Sequence, residues 1–351
     1  MNDTGHVPVF VREVIEALAE ISAVKNDSCW VVDCTLGLGG HSSELLSKFP
    51  NVKLVAIDKD ESTRSVTDSR LSQMYPGRFY SYAGCFSSLS EISHQMRSNL
   101  DIKTGGFDGL FDFIFADLGI SSVQLDNPER GLSFKFDGPL DMRMDQHEAG
   151  RTAHDIVNLS TERELRVVFL EGGVGSLSKP LAREIVARRP IDSTFQLRDI
   201  CSDVAGRFYS RNKPKNDHKK NSHTHAATVP FQALRMAVNK EHSNLLRLLA
   251  ASIKLVAPGG RICMISFHSL EDKFVTQAMR WWSSVRDRGL HAEDNPLGFL
   301  ITRKAVSVKD DERLSNPRSR SARLRIFERG KVELWKEREF LPKSSSHWLS
   351  H

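Results

Sequence analysis

In Trp30-Val-Val-Asp33-Cys-Thr-Leu-Gly37-Leu-Gly39-Gly40-His41-Ser42 a short apolar, β-rich run passes directly into a glycine-rich turn. Glycines there let the backbone bend sharply and approach a ligand closely, and the carboxyl end of a strand is where open α/β sheets bind cofactors. A dinucleotide fingerprint needs G-x-G-x-x-G. Counting from Gly37 and Gly39, the third glycine position is Ser42, so NAD is disfavoured.

Outward from this turn the same alternation continues. Short β-rich runs lie at Trp30–Cys34, Lys53–Ile57, Arg78–Tyr82, Phe111–Ala116 and Arg261–Ser266, and helix-forming stretches at Ser42–Phe49, Glu61–Met74 and Ser87–Arg97 separate most of them. Apolar strands alternating with helices imply a parallel sheet covered on both faces. Before it, Val11, Val14, Ile15, Leu18 and Ile21 recur at helical spacing and make a leading amphipathic helix.

The alternation stops near Ala116 and resumes at Arg261. Between them lie helix-forming segments at Thr161–Leu170, Leu181–Arg188 and Leu197–Gly206, and a polar stretch from Arg207 to His225. A loop of that length is improbable, so an inserted helical module is expected. The expected division is 1–127 for the first part of the core, 128–235 for the inserted substrate-recognition domain, 236–330 for the second part of the core, and 331–351 for a charged tail. His218, His223 and His225 have no fixed partner nearby, and no metal site is expected.

Composition sets wide bounds. The chain has 351 residues, 40% of them apolar, with 49 Lys+Arg against 44 Asp+Glu, a mild bias towards polyanions. Cys29, Cys34, Cys85, Cys201 and Cys263 are odd in number and include no CxxC pair, so neither a disulfide framework nor a zinc ribbon is suggested. No apolar run is long enough to span a bilayer, and Met1 to Val7 form neither a signal peptide nor a transit helix. The chain reads as intracellular, with no membrane partner.

The acid four positions before Gly37, Asp33, suits the D-x-x-x-G-x-G loop of class I methyltransferases, whose cofactor has no pyrophosphate to cradle. Asp58, after the second strand, is a candidate bidentate acceptor for two ribose hydroxyls; the rival reading is a cap for the next helix. The fourth strand delivers Asp117-Leu-Gly119-Ile-Ser121-Ser122-Val-Gln124-Leu-Asp126, a small polar loop suited to orienting an amine beside a planar base. Ser121 and Ser122 could equally bond only their own backbone.

With this loop in view the chain resembles the MraW/RsmH family of small-subunit rRNA cytosine-N4 methyltransferases. The resemblance runs in order through Thr35-Leu-Gly-Leu-Gly-Gly-His41, Pro128-Glu-Arg-Gly-Leu-Ser-Phe134, Asp137-Gly-Pro-Leu-Asp-Met-Arg-Met-Asp145, Phe231-Gln-Ala-Leu-Arg235, Ala257-Pro-Gly-Gly-Arg261, Ser266-Phe-His-Ser-Leu-Glu-Asp272 and Asn316-Pro-Arg-Ser-Arg-Ser-Ala-Arg-Leu-Arg325. It implies a class I, Rossmann-like sheet with an inserted helical domain, and S-adenosylmethionine as cofactor. The family's cofactor contacts map onto Gly39, Gly40, His41, Asp58, Phe86, Asp117 and Gln124, with Phe86 packed on the adenine. The chain departs from the family at Leu170-Glu-Gly-Gly-Val-Gly-Ser176, where the usual block is Tyr-Gly-Glu-Glu, and at Val229, where a basic residue is usual.

The implied substrate is small-subunit ribosomal RNA, free or in an assembling subunit. Asp117 is expected to orient cofactor and amine, and His268 to line the base pocket, take up the released proton or merely cap a helix. Arg318, Arg320, Arg323 and Arg325, in strand-like alternation, and Arg143 are candidate phosphate contacts, or else partners of nearby acids. Rival functions are a class I methyltransferase acting on another amine and an inactive ribosome-assembly factor. The departures resemble mitochondrial members, so the mitochondrial matrix is the expected location and the bacterial cytoplasm the alternative. A homodimer is compatible with the sequence.

Overall fold

A computed structural model describes residues 8–25, 28–99, 107–211, 225–284, 296–331 and 341. Met1 to Val7, His218, His223 and the tail beyond Lys331, apart from Leu341, lie outside the described residues. In chain order the helices and strands are α1 (Val11–Ala19), β1 (Cys29–Asp33), α2 (Gly40–Lys48), β2 (Val52–Asp58), α3 (Glu61–Met74), β3 (Phe79–Ala83), α4 (Leu89–Asn99) and β4 (Phe111–Asp117). There follow α5 (Ser122–Asp126), α6 (Ala153–Leu159), α7 (Glu162–Glu171), α8 (Ser178–Ala187), α9 (Thr194–Arg211), α10 (Thr228–Val238) and α11 (Glu241–Leu255). The chain closes with β5 (Val256–Ser266), α12 (Ser269–Ser283), β6 (Gly298–Leu300), β7 (Val306–Ser307), α13 (Asp310–Ser315) and β8 (Arg323–Arg329). They gather into two compact units, Met1–Gly119 with His242–His351, and Ile120–Glu241.

The first unit holds one sheet in the order β3-β2-β1-β4-β5-β8-β6, with β7 also on β8. β1 to β5 are parallel and β8 runs antiparallel to both β5 and β6. The five core strands match the β-rich runs of the sequence. Side chains alternate across the sheet with period two. Val32, Val55, Ile57, Ile114 and Met264 pack with α4, α11 and α12 on one face, and Val31, Leu54, Ala56, Phe113 and Ile265 pack with α1, α2 and α3 on the other. Burial on both faces is why these strands read as nearly continuous apolar runs. The strand order reverses between β1 and β4, which opens the crevice at their carboxyl ends, where open α/β sheets take ligands.

The second unit is helical around its own core, which includes Leu165, Phe169, Leu181, Ile185, Leu197, Phe231 and Leu234. Its limits at 120 and 241 lie outside the expected 128 and 235. At one end Ile120 and Leu125 pack onto this core. At the other, Asn239 donates to the Met142 carbonyl at 2.8 Å and accepts from Met144 N–H at 2.8 Å. The departure at Leu170–Ser176 also has a packing reason: a Cβ on Gly172 would lie 2.1 Å from Ala233 Cβ, so glycine lets the end of α7 approach α10. No described helix is long and apolar enough to cross a membrane.

Candidate active site

The glycine turn after β1 is fastened from β2 and α3. Gly37 N–H donates to Asp58 Oδ2 at 2.6 Å, Thr67 Oγ1 to the Gly37 carbonyl at 3.0 Å, and Arg70 to the Leu38 carbonyl at 2.6 Å. Two glycines are required by packing against protein. Gly39 sits at φ +72°, and a Cβ there would lie 2.6 Å from Thr67 Cγ2, while a Cβ on Gly40 would lie 2.4 Å from Pro8 Cγ. At Gly37 the nearest atom to such a Cβ is 4.0 Å away, so this part of the turn faces open space.

Asp58 is not the helix cap that the rival reading made it. Asp60 caps α3, accepting from Ser62 N–H at 3.2 Å, and Asp58 Oδ1 accepts from Asp60 N–H at 2.8 Å. The Asp58 carboxylate therefore receives backbone donors from Gly37, Asp60 and Lys59, and its two oxygens keep some acceptor capacity beyond these. Burial, opposed by these hydrogen bonds, raises its carboxyl pKa above the ordinary value. Phe86 follows β3 in a short 3-10 turn and packs, half-buried, against the core of the first unit.

Asp117 ends β4 beside this turn. Its Oδ1 is buried and meets no hydrogen-bond donor among the described residues, and its Oδ2 lies 4.0 Å from His41 Nδ1. Burial, with the charges of Asp33 and Glu271 adding to it, pushes the Asp117 carboxyl well above the usual range. His41, 7% exposed, has Nε2 2.9 Å from the Val9 carbonyl oxygen. A carbonyl only accepts, so that nitrogen carries a proton. Gly119, at φ +116°, lets the next turn pass under Phe267, whose ring would be 3.3 Å from an added Cβ.

The sequence did not single out Asp33 for more than a motif position. Its carboxylate, 1% exposed, accepts from Ser42 Oγ at 2.7 Å and from Thr35 N–H at 3.0 Å. Burial pushes its pKa up to about 6. An acid at the end of an apolar strand, followed by Thr and Ser, was the available signal.

Other expected residues do different work. His268 caps α12, where Nδ1 accepts from Glu271 N–H at 3.3 Å while Glu271 Oε2 accepts from His268 N–H at 3.3 Å. Its Nε2 is 3.0 Å from Glu271 Oε1, so the cap reading describes it best. Gln124 belongs to the second unit, where it closes a capping box with Ser121 at the start of α5; the bland reading of Ser121 holds. His225 accepts from Ala227 N–H through Nδ1 and lies against Phe134. Arg143 forks onto Asp141 at 2.7 and 2.8 Å, and Arg325 onto Asp272 at 2.6 and 2.9 Å. Arg318 and Arg320 are exposed, on a 3-10 turn rather than a strand, so the alternating stripe is broken. All five cysteines are free thiols, four of them buried and Cys85 partly so.

The family model described as the MraW methylase family matches residues 3–330. The chain belongs to the MraW methylase family. Its methyl donor is S-adenosylmethionine. Over 324 residues, 92% of this chain and 94% of the relative, it is 39% identical to ribosomal RNA small subunit methyltransferase H of Synechococcus elongatus. The proteins of that name from a Nostoc species and from Kocuria rhizophila are 37% and 36% identical, over 93% and 92% of this chain and 93% and 94% of theirs. These relatives are bacterial, and the mitochondrial placement expected from the sequence finds no support among them. Of the departures behind that expectation, the one at Leu170–Ser176 has a local packing explanation at Gly172.

Proposed function

We propose that this MraW methylase transfers a methyl group from S-adenosylmethionine to the exocyclic N4 of a cytidine in small-subunit ribosomal RNA. The relatives' shared name points to the RNA. The observation that carries the chemistry is the buried, unpartnered Asp117 Oδ1 at the switch point of the sheet.

The residues present fit the cofactor. Asp58 has acceptor capacity left for ribose hydroxyls, Phe86 offers an apolar aromatic face to the adenine, and Gly39, Gly40 and His41 begin the helix beside the open side of Gly37. Gln124, the remaining position of the family's set, lies in the second unit. When bound, S-adenosylmethionine supplies an electrophilic sulfonium methyl.

The N4 lone pair of cytosine is delocalised into the ring, so the amine needs alignment more than activation. Asp117 accepts an N–H of the amine and turns the lone pair out of the ring. Its raised pKa makes it a better acceptor for the proton that N4 gives up as the N–C bond forms. Proton uptake, expected of His268 from the sequence, is proposed for Asp117 instead because His268 is held as a cap. A base inside a helix must be unstacked to reach such a site. Arg318 and Arg320 are the exposed cations proposed for phosphate contact.

The test is incubation with labelled S-adenosylmethionine and either naked RNA or small subunits, then nucleoside analysis. Label in N4-methylcytidine is the expected result. Label in another nucleoside, or in protein, overturns the assignment.

A further inference from the structure

We propose that Thr35 is a positioning residue for methyl transfer, its hydroxyl setting where Asp117 meets the reacting amine. The inference rests on the reading of Asp117 given above.

β1 and β4 pair through Val31, Val32 and Asp33, opposite Phe113, Ile114 and Phe115, and the ladder's last main-chain step is Cys34 N–H to the Phe115 carbonyl at 2.8 Å. Beyond it the chain leaves the sheet for the glycine turn. The next β4 amide on that side, Asp117 N–H, donates instead to Thr35 Oγ1 at 2.7 Å. A side-chain hydroxyl thus extends the ladder one step further than the backbone can. On the opposite edge Leu118 N–H donates to the Ile265 carbonyl at 2.9 Å, so the end of β4 is held from both sides.

The hydroxyl is itself held. Thr35 is β-branched and stiff at χ1. Its own hydrogen points to Asp33 Oδ1 at 3.5 Å, the oxygen that also receives Thr35 N–H at 3.0 Å, and the other Asp33 oxygen receives Ser42 Oγ at 2.7 Å. A buried carboxylate therefore ties α2 through the Ser42 hydroxyl, the glycine turn through the Thr35 amide, and the Asp117 amide by way of the Thr35 hydroxyl. Among the described residues no donor meets Asp117 Oδ1, so the backbone has a large part in placing that oxygen. Small misplacements at a reacting centre are costly: about 1 Å can lose about 100-fold in rate.

The test uses the full chain on small subunits, in single turnover at saturating S-adenosylmethionine, with cofactor affinity by calorimetry and a thermal melt. Thr35→Val keeps the branched shape and removes the acceptor; the rate is expected to fall about 10- to 100-fold at unchanged cofactor affinity. Thr35→Ser, which keeps the hydroxyl, restores most of it. Combined with Asp117→Ala, Thr35→Val adds no further loss, because both act through one group. If Thr35→Val does not fold, Thr35→Cys, a weak acceptor of similar size, carries the same expectation. A wild-type rate in Thr35→Val beside an impaired Asp117→Ala overturns the positioning role alone. Full activity in Asp117→Ala overturns the reading of Asp117 itself. Loss of rate in step with cofactor affinity makes Thr35 a support of the glycine turn and also overturns the proposal.

Discussion

The carboxylate of Asp272 receives two guanidinium donors of Arg325, Nε at 2.6 Å and Nη2 at 2.9 Å, and so ties the first turn of α12 to β8. Both side chains are half-buried. Two of the blocks that carry the family resemblance, Ser266–Asp272 and Asn316–Arg325, are therefore joined by a structural ion pair.

Arg325→Ala should destabilise the protein by roughly 1–3 kcal/mol, since it leaves Asp272 half-buried without its fork. Urea unfolding followed by circular dichroism measures this. The variant should keep the salt dependence of RNA binding, because Arg325 does not serve the phosphates; a flattened salt dependence in Arg325→Ala would return it to the RNA surface.

Asp58→Ala should weaken S-adenosylmethionine binding by roughly 1–3 kcal/mol through loss of the ribose acceptors. The substitution also frees Gly37 N–H, which now donates to Asp58 Oδ2. Asp58→Asn separates the two effects, since one amide oxygen can keep the Gly37 bond. Calorimetry on both variants decides: affinity unchanged in a folded Asp58→Ala removes the residue from the site.

The five parallel strands and the turn after β1 were legible because they depend on local signals: apolar runs and closely spaced glycines. The end of the sheet was not. β6 spans Gly298–Leu300 and β7 only Val306–Ser307, too short for a periodic pattern, and in β8 the alternating arginines drew attention from Leu324, Ile326 and Phe327, which are buried. Contacts distant in sequence were equally hidden. Thr35 meets Asp117 and Arg325 meets Asp272 only once the sheet has formed, and no local pattern marks either pair. His268 shows the converse: His-Ser-Leu-Glu is a capping arrangement readable in the sequence, with histidine in the place more often held by serine or threonine.

A third expectation concerns pH. The Asp33 carboxyl is raised to about 6 in the folded chain by burial. The unfolded value is near 3.9. Between roughly pH 4 and 6 the folded state then binds more protons than the unfolded state, so this group's contribution falls as pH rises through that window, and is complete in its unfavourable effect above it. Asp33→Asn removes the titration. Urea midpoints from pH 4 to 7 should decline less with rising pH in Asp33→Asn than in the wild type, and parallel curves would show that Asp33 does not titrate there.

The last expectation is about RNA grip. Among Arg318, Arg320, Arg323 and Arg325, Arg325 forks onto Asp272 and Arg323 donates to the Ala322 carbonyl at 2.9 Å, and Arg318 and Arg320 hold exposed positions on the turn Pro317–Ser321. Cations that meet phosphates release counterions, and the logarithm of affinity then falls with the logarithm of salt in proportion to the contacts made. Arg318→Ala with Arg320→Ala should therefore weaken subunit binding and lower that slope by roughly one to two units. Cofactor affinity should not change, because neither arginine belongs to the loops after β1 and β2. Binding of small subunits across a salt series reads the slope directly. An unchanged slope assigns these two arginines to solvent, and leaves the grip on RNA to cations of the helical unit, of which Arg163, Arg166, Lys179 and Arg183 are exposed.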